Sequence, residues 1–257
     1  MSARSGEHNY RVDAAAERRA VGAQPERWRF EMALHVAIDG PAASGKTTVA
    51  RALARRLSVP YLDTGAMYRA LAWRALATGA EPIDEAALLT LEAREPIEAL
   101  PGPADDCGFC ITIGGRDPGD ALYGPDVSAA VSAVAAHPNV RRAMVERQRE
   151  IAAAGPVVMA GRDIGTIVLP DAPFKFFLTA SLDERVARRA AELAAAGSAV
   201  AASNLRRDLE RRDRLDATRA VAPLRAAPDA VWIDSTGRSA ADVLERMLAL
   251  VRNEARR

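Results

Sequence analysis

The chain has 257 residues, of which 49% are hydrophobic and 27% are charged, and its formal net charge at pH 7 is +1. This length fits one folded core with smaller insertions, and the near-neutral charge argues against a general nucleic-acid-binding protein. No apolar run is long enough to span a membrane, and the charged N-terminal stretch lacks the apolar segment of a secretory signal. A soluble, cytoplasmic protein without a membrane partner is therefore expected.

The N-terminal part of the chain passes from an irregular stretch to a regular one. Residues 1–31 mix charged residues, Ala and Gly without periodicity, which predicts a flexible extension, and the folded domain is expected at residues 32–257. Its first helix is indicated by the four-residue spacing of Val49, Leu53 and Leu57. The elements predicted in this part are strands at 35–38 and 60–62 and helices at 45–57 and 64–78.

The region from about residue 91 to residue 123 differs in composition from the residues before it. Pro and Gly recur, and residues 109–113 alternate as in an edge strand that ends at Gly114 and Gly115. We therefore predict a small β-containing insertion in an α/β core.

Strands and helices alternate again after this insertion. Short apolar runs bounded by Gly, Pro or polar residues predict strands, and longer amphipathic runs predict helices. Such alternation is typical of a parallel sheet with helices on both faces. The predicted helices span 126–136, 139–154, 181–196, 203–216 and 239–252, and the predicted strands span 157–159, 174–178 and 231–233.

A phosphate-binding motif follows the first strand. Residues 40–47, Gly-Pro-Ala-Ala-Ser-Gly-Lys-Thr, fit G-x-x-x-x-G-K-[ST] at every fixed position. The glycines let successive backbone N–H groups converge on a phosphate, and the helix N-terminus adds partial positive charge. Lys46 would reach the β- and γ-phosphates of a nucleoside triphosphate, and the Thr47 hydroxyl would bind Mg²⁺. The candidate ATP-binding residues are Gly40, Pro41, Ala42, Ala43, Ser44, Gly45, Lys46, Thr47 and Thr48.

Several arginines stand where a second anion would bind. Arg69 and Arg162 follow predicted strands, at the edge of the sheet where α/β proteins bind ligands. Arg212, Asp216 and Arg219 have the i, i+4, i+7 spacing that places three side chains on one face of a helix. Each of these arginines, considered alone, could instead be an exposed surface residue that binds no ligand.

A second cluster of basic residues lies on the predicted helix at 181–196. Arg185, Arg188 and Arg189 repel one another unless acidic residues or an anion lie nearby. Asp183 and Glu184 could supply that negative charge. Alternatively, the helix belongs to a mobile arm whose arginines fold over a triphosphate.

The two cysteines of the chain, Cys107 and Cys110, form a C-x-x-C pattern. A zinc site would need two further ligands, and the sequence offers no second cysteine pair and no close pair of histidines. A redox pair would need a thioredoxin-like setting, which the insertion does not provide. We therefore interpret them as incidental thiols.

Six stretches, in order along the chain from Leu34 to the C-terminus, resemble the bacterial cytidylate (CMP) kinases. They include Tyr-Leu-Asp-Thr-Gly-Ala-Met-Tyr-Arg at 61–69 and Gly-Arg-Asp-Ile-Gly-Thr at 161–166. The resemblance implies a P-loop nucleoside monophosphate kinase fold, with a parallel sheet flanked by helices. It also implies a nucleoside monophosphate (NMP)-binding insertion near 91–132 and a short lid near 185–205. The remaining matching stretches are 38–47, 132–141, 170–172 and 212–224.

The resemblance also implies roles for individual residues. Arg69, Arg162 and Arg219 would hold the phosphate of CMP, while Ser132, Arg141 and Asp163 would contact cytosine. Asp216 and Arg212 would contact the ribose, and Thr64 would lie in the acceptor pocket. Two positions depart from the family pattern, because Ala160 stands where an acidic residue is common and Tyr123 where an arginine is common. The residues expected to act in catalysis are Lys46, Arg69, Arg162, Arg219, Arg185, Arg188 and Arg189.

The expected reaction is transfer of the γ-phosphoryl group of ATP to CMP or dCMP, with Mg²⁺, by a monomeric enzyme. A second possibility is a kinase of the same architecture that acts on UMP, AMP or another metabolite. A third is a catalytically silent nucleotide sensor. A sensor has no need of a second phosphate site, so the set of Arg69, Arg162, Asp216 and Arg219 favours a kinase.

Overall fold

The computed structural model describes residues 34–102, 107–195, 197 and 200–254. The flexible extension predicted for residues 1–31 lies outside the described residues. Over the described ranges, no helix has the length and apolarity needed to cross a membrane. The strands are β1 (His35–Asp39), β2 (Tyr61–Asp63), β3 (Ile97–Pro101), β4 (Phe109–Ile113), β5 (Val157–Gly161), β6 (Phe174–Thr179) and β7 (Val231–Asp234). The helices are α1 (Lys46–Leu57), α2 (Thr64–Thr78), α3 (Glu85–Arg94), α4 (Pro125–Val134), α5 (Pro138–Ala153), α6 (Leu182–Ala195), α7 (Ala202–Thr218) and α8 (Ala240–Glu254).

The core is a parallel sheet with the strand order β2-β5-β1-β6-β7. β1 lies at its centre, with Val36 opposite Val158 of β5 and Phe174 of β6. The central strands carry nearly continuous apolar sequences, as is usual when helices bury both faces of a parallel sheet. The prediction of an α/β protein with a parallel sheet is confirmed. The carboxyl ends of β1, β2 and β5 lie side by side, and the phosphate-binding motif begins at this edge.

Separate hydrophobic clusters attach helices to the two faces of this sheet. On one face, Val49 and Leu53 of α1 pack in the same cluster as Met247 and Leu248 of α8. On the other face, α2 contributes Met67, Leu71 and their neighbours. Burying one such side chain contributes about 1.5–3 kcal/mol. The four-residue spacing that predicted α1 thus corresponds to its buried face, and this packing fixes the N-terminus of α1 beside the sheet.

A two-stranded antiparallel hairpin, β3 and β4, lies in the stretch predicted to contain β structure. Ile97 pairs with Ile113, and both side chains are buried in the cluster around α2. β4 was predicted correctly, but β3 and α3 were not predicted. α3 buries only Leu88 and Glu92, so it has no apolar stripe to reveal it in the sequence.

α6 and α7 form a small unit above the phosphate-binding motif. Val186 of α6 packs with Leu205 and Leu209 of α7, and this cluster also contains Ala42 of the motif. Both helices were predicted, with bounds that differ from the observed ones by one or two residues. Their packing brings the polar face of α7 over the carboxyl edge of the sheet.

Candidate active site

The loop between β1 and α1 has the tight curvature that the phosphate-binding motif predicts. Gly40 has φ +153°, and a Cβ atom there would lie 2.0 Å from the carbonyl oxygen of Leu178, so no side chain fits. The Lys46 ammonium donates hydrogen bonds to the Pro41 carbonyl at 2.6 Å and the Ser44 hydroxyl at 3.4 Å. Burial and the nearby Arg162 guanidinium lower the pKa of Lys46 well below its ordinary value. An anion inside the loop would favour the charged ammonium again.

A cleft of about 360 Å³ opens beside this loop, at the carboxyl edge of the sheet. It brings most of the predicted site residues into one space, although they are up to 177 positions apart in the chain. Four predicted residues do not line it, namely Gly40, Pro41, Arg185 and Arg188. The predicted residues that line the cleft are Ala42, Ala43, Ser44, Gly45, Lys46, Thr47, Thr48, Thr64, Arg69, Ser132, Arg141, Arg162, Asp163, Arg189, Arg212, Asp216 and Arg219.

Arginines and aspartates are interleaved on the wall that faces the phosphate loop. Arg162 forms an ion pair with Asp216, with Nε 2.7 Å from the carboxylate. Arg141 forms a buried ion pair with Asp163. Arg219 lies 3.6 Å from Asp163 and 3.9 Å from Asp216. Two carboxylates thus hold three guanidinium groups in place, and a net positive charge remains for a ligand.

Some of the guanidinium nitrogens on this wall donate no hydrogen bond to the described residues, although Arg219 Nη2 keeps its longer ion pair with Asp163. Arg141 Nε and Arg219 Nη2 are buried and make no hydrogen bond. Arg212 forms no ion pair with any residue in the described ranges, and burial together with the nearby Arg162 lowers its pKa to about 10. A phosphate is a favourable partner for such groups, because a charge-assisted hydrogen bond is roughly twice as strong as a neutral one.

Arg69 is held by α4 and by the segment that precedes it. Its Nη1 donates to the Leu122 carbonyl at 3.2 Å and to the Ser128 hydroxyl at 3.0 Å. Its guanidinium carbon also lies 5.4 Å from the centre of the Tyr123 ring, within range of a cation–π interaction. Tyr123, noted above as a departure from the expected pattern, therefore contacts a predicted phosphate-binding arginine.

The three arginines of α6 have different surroundings. Arg185 donates to the Ala42 carbonyl at 3.2 Å and pairs with Asp213 at 2.7 Å. Arg188 donates to the Ser44 carbonyl at 3.3 Å and to the Ser235 carbonyl at 2.7 Å. These two contact the phosphate loop from outside the cleft.

The third arginine of α6, Arg189, lines the cleft. It also forms an ion pair with Glu192 at 3.0 Å. Of the cluster predicted to fold over a triphosphate, this side chain is therefore the one placed at the cleft in the described structure.

The hydroxyl groups of the cleft differ in how firmly they are held. Thr64 donates to the Ala160 carbonyl at 2.9 Å and is buried, whereas Thr47 and Thr48 are exposed at the start of α1. In the described ranges, no group of three or more His, Cys, Asp or Glu side chains could hold a metal ion. Mg²⁺ is commonly bound through one or two protein oxygens and the substrate phosphates, and the exposed Thr47 hydroxyl fits that arrangement.

The cysteines lie away from this cleft. Cys107 and Cys110 are free thiols. Cys107 donates to the Arg51 carbonyl at 3.6 Å, and Cys110 donates to the Asp117 carboxylate at 3.3 Å. Each thiol therefore has its own partner, and the two do not form a disulfide in the structure.

Several polar side chains in or beside the cleft were not predicted as site residues, among them Asp39, Tyr68 and Tyr123, the last having been noted only as a departure from the family pattern. Asp39 ends β1 and accepts two backbone hydrogen bonds from the Arg162 loop. The Tyr68 ring lies 5.4 Å from the guanidinium carbon of Arg141, and the Tyr123 ring lies beside Arg69. For Asp39 a usable signal existed, since an acidic residue ends an apolar strand directly before the phosphate loop. No local pattern indicated the roles of the tyrosines.

A curved phosphate loop and a second cationic wall share one cleft at the carboxyl edge of a parallel sheet. This combination defines a P-loop kinase of the nucleoside monophosphate type. A family model described as cytidylate kinase matches residues 36–253. The chain is 52% identical to a cytidylate kinase of Geobacillus kaustophilus, over 85% of this chain and 96% of that protein. It is 49% identical to a cytidylate kinase of Geobacillus thermodenitrificans, over 86% and 98% of the two chains. The chain therefore belongs to the cytidylate kinase family.

Proposed function

We propose that this protein transfers the γ-phosphoryl group of ATP to CMP or dCMP, giving ADP and CDP or dCDP. The observation that carries the proposal is the single cleft in which the phosphate loop faces Arg69, Arg162 and Arg219. A protein that only senses a nucleotide has no use for a second cationic wall. Membership of the cytidylate kinase family supports the same reaction.

The donor side of the proposal rests on residues 40–48. The loop amides and the N-terminus of α1 would bind the phosphates of ATP, and Lys46 would contact the β- and γ-phosphates. Thr47 would hold Mg²⁺ together with phosphate oxygens, and the metal would neutralise part of their charge. Arg185 and Arg188 support the loop through its carbonyl groups, so we assign them to positioning the loop.

The acceptor side of the cleft carries the positively charged side chains that are needed to bind a dianionic phosphate. The phosphate of CMP is largely dianionic near neutral pH, so it is already a nucleophile and needs no strong general base. Arg69, Arg162 and Arg219 would neutralise it and align it with the γ-phosphate. Arg189 also lines the cleft, and we propose that it stabilises the transferring group. Holding two reactants in line supplies about 7–11 kcal/mol in the best cases.

Recognition of cytosine is assigned to Asp163, with Ser132 and Arg141 beside it. The ion pair with Arg141 fixes the orientation of the Asp163 carboxylate in the cleft. A carboxylate accepts a hydrogen bond from the N4 amine of cytosine, whereas uracil presents an acceptor at that position. The resulting unpaired groups would disfavour UMP strongly. Asp216 and Arg212 are the residues we assign to the ribose.

The proposal also assigns parts of the chain to larger roles. Residues 91–132, which contain the hairpin, would form the NMP-binding insertion, and residues 185–205 would form the lid. All the assigned residues belong to one chain, so the proposed mechanism needs no residue from a second copy, and we propose action as a monomer. Because ATP and CMP are cytoplasmic metabolites, we place the enzyme in the cytoplasm.

A coupled assay of ADP release tests this function. We expect rapid ADP release only when ATP, Mg²⁺ and CMP are all present. Lys46→Ala should lower the rate at least about a hundredfold, because a removed phosphate-stabilising charge costs several kcal/mol in the transition state. Arg56→Ala is the matched control, since it removes a cation from the far end of the same helix and breaks only an exposed ion pair with Glu245.

The control should keep the wild-type rate, and all three proteins should have similar thermal unfolding midpoints. ADP release that does not depend on CMP, or a Lys46→Ala protein with a near-normal rate, would contradict the proposal.

A further inference from the structure

Asp39 occupies a position between the donor and acceptor sides of the cleft. It is the last residue of β1, so its backbone leads directly into the phosphate loop. Its side chain is almost fully buried, with 3% of its surface exposed. One carboxylate oxygen accepts a hydrogen bond from the Ile164 amide and the other from the Gly165 amide, both at 2.8 Å.

These two amides belong to the residues that directly follow Arg162 and Asp163. They are the first amides of a short π-helical turn, Ile164–Val168, which begins where β5 ends. The first amides of a helical turn lack partners within the turn, and a carboxylate satisfies them well. Asp39 therefore fixes the end of the loop that carries one assigned phosphate ligand and one assigned cytosine ligand.

Gly165 is closely packed within this turn. A Cβ atom there would lie 3.4 Å from the Asp39 carboxylate and 3.3 Å from the Lys175 side chain. Lys175 itself is paired with Asp229 at 2.6 Å, so its stem is held against the turn. The turn is thus confined between Asp39 on one side and Lys175 on the other.

We propose that Asp39 is a positioning residue that sets the distance between the phosphate loop and the Arg162–Asp163 pair, an inference that rests on the proposed function. Its backbone orients the donor side and its side chain anchors the acceptor side. A displacement of the acceptor ligands of about 1 Å would be enough to weaken catalysis strongly.

The Asp39 carboxylate is buried close to two other charged groups. Burial raises the pKa of Asp39 to about 6, although the two amide hydrogen bonds act in the opposite direction. Asp163 and Lys46 are the charged groups that face it, and Asp163 raises the pKa further.

The test compares Asp39→Asn with wild type, measuring KM and kcat for each substrate separately. The amide of asparagine is similar in shape but offers one acceptor oxygen and places an NH₂ group against the other backbone amide. We expect the KM for CMP to rise about tenfold and kcat to fall, while the KM for ATP stays within twofold. We also expect faster hydrogen exchange at the Ile164 and Gly165 amides.

The matched control is Glu92→Gln, another buried carboxylate, which pairs with Arg147 outside the cleft. Glu92→Gln should lose stability without a change in the KM for ATP or for CMP. Asp39→Asn would behave in the same way if Asp39 had only a structural role. An unchanged KM for CMP in Asp39→Asn, or equal increases in both KM values, would overturn the inference. Absence of CMP turnover in wild type would instead contradict the proposed function, and the exchange measurement would still test the anchoring of the turn.

Discussion

At the scale of single residues, aspartate side chains hold the arginines of the cleft in place through ion pairs. Asp163 lies between Arg141 and Arg219, and Asp216 contacts both Arg162 and Arg219. Each pair is buried or half-buried, so removing one partner would leave an uncompensated charge. This arrangement keeps the guanidinium groups in place before a substrate arrives, which lowers the entropy lost on binding.

Asp39 gives a prediction about pH and stability. Its pKa is raised to about 6 in the folded protein, above the ordinary value of 3.8. Between these values the folded state binds the proton and the unfolded state does not, so this residue's contribution to stability falls as the pH rises from 4 to 6. Relative to Asp39→Asn, the unfolding free energy of wild type should decrease by about 2 kcal/mol between pH 4 and pH 7.

Urea unfolding of both proteins at several pH values measures this difference, because all other titrating groups are shared. Parallel stability curves for the two proteins would show that Asp39 titrates normally, and would contradict the account of its burial.

At the scale of elements, arginine side chains of α6 donate hydrogen bonds to backbone carbonyl groups of the phosphate loop. Arg188 joins the loop to the end of β7, because it donates to the Ser44 carbonyl, the Ser235 hydroxyl and the Ser235 carbonyl. The Ser235 hydroxyl in turn lies 3.2 Å from the Ser44 carbonyl. The helix is therefore a support for the donor site as well as a part of the proposed lid.

Arg188→Met should weaken ATP binding selectively. Hydrogen bonds to a charged group contribute about 1.5–3 kcal/mol each, and the loop would lose this support while the acceptor wall stays intact. We expect the KM for ATP to rise about fivefold and the KM for CMP to stay within twofold. Arg206→Met is the comparison, since Arg206 is exposed on α7 and pairs with Asp183. Steady-state kinetics that show equal changes in both KM values would contradict this role.

A comparison of the elements also shows which parts of the structure can be predicted from the sequence. α1 and the phosphate loop could be predicted because the glycines, the lysine and the apolar spacing all lie within one short segment. α3 could not, because its core contacts come from Leu88, Leu89 and Leu91, which lie within one turn and do not form a longer amphipathic stripe. The π-helical turn has no sequence signature of its own, since its amides are satisfied by Asp39, 125 positions earlier in the chain.

At the scale of the whole molecule, one sheet edge gathers residues from distant parts of the sequence. The phosphate loop follows β1, Arg69 follows β2 and Arg162 follows β5, and these strands are neighbours in the sheet. The clustering of these residues could be predicted because the carboxyl ends of parallel strands share an edge. The contacts within the cluster could not, since they depend on side-chain geometry. One example is that Arg188 contacts the phosphate loop from outside the cleft, whereas the neighbouring Arg189 lines the cleft.

The central claim is that the protein phosphorylates a cytosine nucleotide bound in this cleft. The most direct measurement compares initial rates with CMP, dCMP and UMP at the same concentration, with ATP and Mg²⁺ in excess. We predict high rates with CMP and dCMP and a rate with UMP at least about a hundredfold lower, because UMP leaves Asp163 without its donor. A higher rate with UMP than with CMP would contradict the account.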